Sequence, residues 1–154
     1  MNHRPRTDYQ KASPGAFKAM LDMEAYVRGS GLEHSLLELV KTRVSQINGC
    51  AFCLDMHTKD ARAAGESEQR LHVLAAWREA PFYTERERAA LAWAEAVTLV
   101  ANNDLPDALY DEVRAQFDDR ALVDLTLAII TINGWNRLAI GFRAEVGRYK
   151  ASAG

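Results

Sequence analysis

"SQINGCAFCLDMH", residues 45–57, contains both cysteines of the chain, three residues apart, and a histidine four residues further on. Asn48 and Gly49 punctuate the stretch, as an Asn-Gly pair does where one helix stops and the next begins. Upstream, Leu37, Val40, Val44 and Ile47 recur at helical spacing. The stretch therefore predicts a helical hairpin, with a second helix running from about Cys50 to Ala64 and stopping at Gly65. Residues three and four apart share a helix face, so Cys50, Cys53 and His57 form one stripe.

The rest of the chain reads the same way, helix after helix, with few Pro or Gly and no alternating strand pattern. Residues 1–12 read as a polar arm, and 13–150 as a single all-α domain of about seven to eight helices. Ser13 is the expected N-cap and Pro14 the first residue of a helix that stops at Gly29–Gly31. Another helix covers roughly 67–78, Thr84 caps a long one, and a further one runs from Pro106 to near Phe117. The last stretch, 118–146, reads as two helices broken at Asn133 and Gly134. A shift of 85 residues lays Ile47-Asn48-Gly49 on Ile132-Asn133-Gly134, and Leu37, Val40 and Val44 on Leu122, Leu125 and Ile129. This is a degenerate helix–turn–helix repeat whose second copy has Trp135, Leu138 and Phe142 where the first has Cys50, Cys53 and His57.

Composition narrows the function. The chain has 154 residues, 48% apolar and 26% charged, with a formal net charge of −2 and dispersed basic residues. That argues against a nucleic-acid or polybasic membrane surface. The N-terminal residues lack the apolar core of a signal peptide, and the expected location is cytoplasmic. Thiols are kept reduced there, so a lone CxxC points to redox or metal chemistry rather than a structural staple.

Two cysteines in the first turn of a helix can reach disulfide geometry, which needs Cα atoms roughly 4.4–6.8 Å apart. The helix N-terminus favours a thiolate at Cys50, whereas His57 can take or share the proton of Cys53. A positioned base can also return a proton to a leaving group, so Cys53 is the preferred nucleophile and Cys50 the resolving thiol. Glu38 lies on the preceding helix, on a polar stripe with Thr42 and Ser45. At 1.5 Å per residue an antiparallel hairpin puts Glu38 about 16 Å and His57 about 10 Å from the turn, an axial offset of about 6 Å. Cys53, His57 and Glu38 then line up as a proton relay. A zinc site is the competing reading, but His34 and His72 read as isolated and no second ligand cluster is visible. The tryptophans, Trp77, Trp93 and Trp135, read as core or subunit contacts, with a wall of the site as the second reading of Trp135, and "ERER" at 85–88 reads as a solvated first turn.

The pattern Glu38, Cys50, Cys53, His57 within "LVKTRVSQINGCAFCLDMH", together with the later "INGWNRLAIGFR", resembles the alkyl hydroperoxidase AhpD-like branch of the carboxymuconolactone decarboxylase family. The resemblance implies an all-helical homo-oligomer, a trimer or hexamer. It implies a peroxidase that needs no metal or other cofactor, takes a hydroperoxide substrate and is re-reduced by an external dithiol. It also assigns Cys53 the attack on peroxide, Cys50 the resolving step, and His57 and Glu38 the relay. One position departs: where well-studied AhpD proteins carry an additional histidine just before the second cysteine, this chain has Phe52. The alternatives from the residues themselves are a general thiol–disulfide oxidoreductase and a non-catalytic redox or zinc-sensing module.

Overall fold

The structure, a computed structural model, describes residues 4–151. Those residues form eight α-helices, one 3-10 turn and no strand: α1 (Tyr9–Ala12), α2 (Pro14–Arg28), α3 (His34–Asn48), α4 (Ala51–Ala63), α5 (Glu68–His72), the 3-10 turn (Leu74–Ala76), α6 (Glu85–Thr98), α7 (Asp107–Arg114) and α8 (Asp119–Phe142).

Helix α3 is the central element and packs against α4, α6 and α8. Its stripe of Leu37, Val40 and Val44 is fully buried among Ala90, Leu125 and Ile129. The α3–α4 turn follows from local chemistry. Gly49 takes the left-handed conformation, φ 68°, which a glycine adopts without the Cβ clash of other residues. Cys50 is the extended N-cap of α4, and its Sγ accepts the Cys53 N–H at 3.3 Å. Thr84 and Glu87 form a reciprocal capping box at the start of α6. Ser13 occupies the N-cap position of α2 without a side-chain cap bond, and Pro14 is the first helical residue.

Three sequence expectations are corrected. The chain does not break at Asn133–Gly134; α8 is continuous for 24 residues. Asn133 Nδ2 donates to Ile129 O at 2.9 Å and to Thr98 Oγ1 at 3.0 Å, bonds compatible with a helix interior. Gly134 serves close approach rather than a turn: a Cβ there would lie 2.8 Å from Met20 Cε on α2. The 85-residue shift thus lays α3 on the first part of α8 but finds no turn after it, so the second segment is not a helix–turn–helix; Asn48 Nδ2 donates to Asn133 Oδ1 at 3.0 Å between the two helices. The expected helix over 67–78 is α5 followed by a 3-10 turn. Three residues per turn keep Leu71, Leu74 and Trp77 aligned on the buried face. Lastly, "ERER" is not a simply solvated turn. Arg86 pairs with Glu33 and bonds Gln116 O, Arg88 bonds the carbonyls of Trp77 and Arg78, and Glu87 pairs with Arg70.

Of the expected N-terminal arm, residues 1–3 lie outside the described residues, and the remainder folds onto the body. Asp8 caps α1. The Tyr9 ring sits 6.2 Å from Phe17 and 5.7 Å from Phe142. After α8 the chain returns to α4, where Tyr149 donates to Asp60 Oδ1 at 2.7 Å and Lys59 to Tyr149 O at 3.0 Å.

Candidate active site

The hairpin brings Glu38 of α3 against His57 of α4. His57 Nδ1 and Glu38 Oε2 are 3.0 Å apart, a direct contact shorter than the straight-rod estimate from the sequence. Both residues are buried, Glu38 3% and His57 7% exposed. With Nδ1–H donated to the carboxylate, the imidazole keeps Nε2 for proton exchange on its other side. One turn toward the N-terminus is Cys53. Cys50 and Cys53 are joined, with Cα atoms 5.3 Å apart, and each is 1% exposed. A dithiol in this frame can close or open without moving a helix.

Cys53 and His57 share a cavity of about 250 Å³. Its walls are mainly apolar: Tyr9 and Phe17 from the N-terminal region, Phe52 and Met56 from α4, Trp135 from α8. Glu24 and Arg28 of α2 supply charge at the wall. Phe52, at the position of the extra AhpD histidine, presents a phenyl ring to this cavity, so no second imidazole serves it from that position. Trp93 and Trp77 are buried in the body, as expected of core residues, whereas Trp135 walls the site.

The polar stripe of α3 divides by role. Thr42 Oγ1 donates to Glu38 O at 2.7 Å, and Ser45 Oγ accepts from Asn136 Nδ2 at 3.0 Å, so both tie backbone and helices rather than extend the relay. His34 is not isolated: its Nε2 lies 4.0 Å from Glu38 Oε1 on the exposed side. His72 is exposed and away from the thiols.

Sequence reasoning missed three partners of this site, Lys41, Glu24 and Asp60. Lys41, 1% exposed, hydrogen-bonds Glu24 and lies 4.0 Å from Glu38 Oε1. Glu24 also accepts from Trp135 Nε1 at 3.2 Å. The one available signal was a lysine three residues after Glu38 on a helix whose neighbours are nearly all buried. Asp60 lies on the same face of α4 as His57, three residues on.

The electrostatics follow from these contacts. Burial alone would raise the Glu38 carboxyl, but the His57 hydrogen bond and the charges of His57, Lys41 and His34 outweigh it and hold it below the ordinary carboxylate value. Burial likewise pushes Glu24 up and is outweighed by the charge and hydrogen bond of Lys41, the Trp135 N–H and Arg28. Burial, the hydrogen bond to Asp60 and the charges of Asp60 and Glu38 push the Tyr149 phenol up to about 12, so it remains a donor.

Glu38, His57 and Asp60 place one ligand atom each within 4.8 Å of one another. A cation there would compete with Lys41 and His57 for Glu38 and with Tyr149 for Asp60. The group includes neither sulfur.

Fold and site together define a helical protein with a dithiol at a helix N-terminus beside a buried carboxylate–imidazole pair. Residues 14–96 match the model of the carboxymuconolactone decarboxylase family, and the chain belongs to that family. It is 49% identical over 135 residues to the uncharacterized protein YdfG of Bacillus subtilis, covering 88% of this chain and 92% of that one. It superposes with a TM-score of 0.91 and 50% identity on a protein of unknown function from Agrobacterium tumefaciens, proposed to be the antioxidant defence protein AhpD, covering 95% of this chain and 100% of that one. An uncharacterized peroxidase-related protein from Silicibacter sp. TM1040 superposes at 0.75 with 25% identity, over 85% of this chain and 70% of that one. The fold is AhpD-like. No helix of the described residues is long and apolar enough to cross a membrane.

Proposed function

We propose that the protein is a thiol peroxidase that reduces hydroperoxides through the Cys50–Cys53 pair. The observation that carries this reading is that Cys53 and His57 open together into the apolar cavity while Glu38 holds the far nitrogen of the imidazole. A hydroperoxide enters with its apolar body against Phe17 and Trp135. The Cys53 thiolate attacks the terminal peroxide oxygen and the O–O bond breaks. The sulfur becomes a sulfenic acid, and the alkoxide leaves as alcohol with a proton from His57. The Cys50 thiol then condenses with the sulfenic acid, releasing water and forming the disulfide. An external dithiol restores both thiols and is itself oxidised.

The apolar cavity that Cys53 opens into gives the body of a small hydroperoxide room beside the sulfur, which supports the peroxidase over the general oxidoreductase. The resemblance to the AhpD-like branch supports the same reading and a homo-oligomeric assembly. The test is turnover. The protein consumes cumene hydroperoxide with dithiothreitol as reductant, and Cys53→Ser abolishes that consumption. Consumption by Cys53→Ser at the wild-type rate would refute the assignment.

A further inference from the structure

Lys41 has no step in the chemistry above, yet it is among the most buried side chains of the molecule. An ammonium out of water needs close partners, and a hydrophobic side chain of similar length would fill the same volume without them. The partners here are unequal in place. Glu24 stands on the wall of the cavity that Cys53 opens into, whereas Glu38 is the carboxylate bonded to His57. Lys41 therefore joins a wall carboxylate to the relay carboxylate through one buried positive charge.

We propose that Lys41 and Glu24 are positioning residues that set the acidity of the Cys53–His57 pair, Lys41 as the positive member and Glu24 as its counterweight. The inference rests on the relay reading of Cys53, His57 and Glu38. The sign follows from Coulomb's law: taking away a neighbouring cation makes a proton harder to remove, and taking away an anion makes it easier. The other charged or titratable groups facing the pair are Glu38 and His34 from α3, Arg28 from α2, Asp60 from α4, Tyr9 from α1 and Tyr149 from the C-terminal segment. All of them are retained in the test variants.

The experiment measures iodoacetamide alkylation of Cys53 against pH in the fully reduced protein, in a Cys50→Ser background so that one thiol is read. Lys41→Met raises the alkylation midpoint by about one pH unit, the effect of losing a unit charge that stands 4.0 Å from the relay carboxylate Glu38, at an intermediate dielectric. Glu24→Gln lowers it, and the charge-neutral double variant falls between the two. A residue needed only for packing would change thermal stability without moving the midpoints in opposite directions. If Lys41→Met does not fold, as circular dichroism would show, Glu24→Gln and the double variant still decide the matter. Midpoints that coincide with the parent protein in the folded variants, or that move the same way in both single variants, overturn the proposal. Alkylation needs no peroxide, so a protein inert toward hydroperoxides but showing the opposed shifts would refute the peroxidase reading alone.

Discussion

Glu38→Gln keeps the size and one acceptor oxygen of the side chain but removes the charge that faces His57. In the structure the contact is 3.0 Å between two side chains exposed by only 9% and 4%, so solvent does little to screen it. Unit charges about 4 Å apart attract by roughly 4 kcal/mol at an effective dielectric near 20. The amide recovers part of this through its remaining hydrogen bond. The net loss is that of one charge-assisted bond, about 1.5–3 kcal/mol. If that stabilisation is present when His57 has taken a proton and passes it to the leaving oxygen, the oxidation step slows by about 10- to 100-fold. The assay is single-turnover oxidation of the reduced protein by excess cumene hydroperoxide, quenched and counted as free thiols, with circular dichroism to establish that the variant folds. A folded Glu38→Gln protein oxidised within twofold of the wild-type rate would refute the relay reasoning.

Two further outcomes concern stability. Glu24, Glu38 and Glu95 are all held below the ordinary carboxylate value of 4.5, burial being outweighed in each by hydrogen bonds and neighbouring positive charge. A depressed folded value contributes stability above the unfolded value and loses it as the pH falls through the folded one. The urea midpoint therefore drops on acidification below about 4.5, and Glu95→Gln flattens the drop; a midpoint that rises with acid would contradict this. Gly49→Ala places a Cβ at φ 68° with no atom within 4 Å to clash, so the cost is backbone strain alone, about 1 kcal/mol by urea unfolding, and an unchanged stability would contradict the turn assignment.

How much of this could be read from residues alone varied with how local the cause was. The α3–α4 hairpin was legible because Asn48-Gly49, the Cys50 cap and the buried stripe of α3 all act within a few residues of one another. The Thr84 cap was legible for the same reason. The Glu38–His57 pairing was legible as proximity but not as a bond, since rods laid side by side ignore how far side chains reach across a tight hairpin. Asn133–Gly134 misled because the same dipeptide that ends α3 is spent in α8 on packing against Met20, which belongs to a helix more than a hundred residues earlier. "ERER" misled because its partners lie outside its own helix: Glu33 and Gln116 come from distant segments, and the carbonyls before Pro81 from the turn that precedes it. Lys41 was missed for a related reason. A lysine in a helix is ordinarily exposed, and the carboxylate that lets this one be buried lies 17 residues away on α2.

The most direct test of the central claim is one equivalent of an organic hydroperoxide added to the fully reduced protein, followed by intact mass and peptide mapping. The account predicts the loss of two hydrogens and a single new link, Cys50 to Cys53, with one molecule of alcohol released. An unchanged mass, or oxygen retained on the protein without that link, would contradict it.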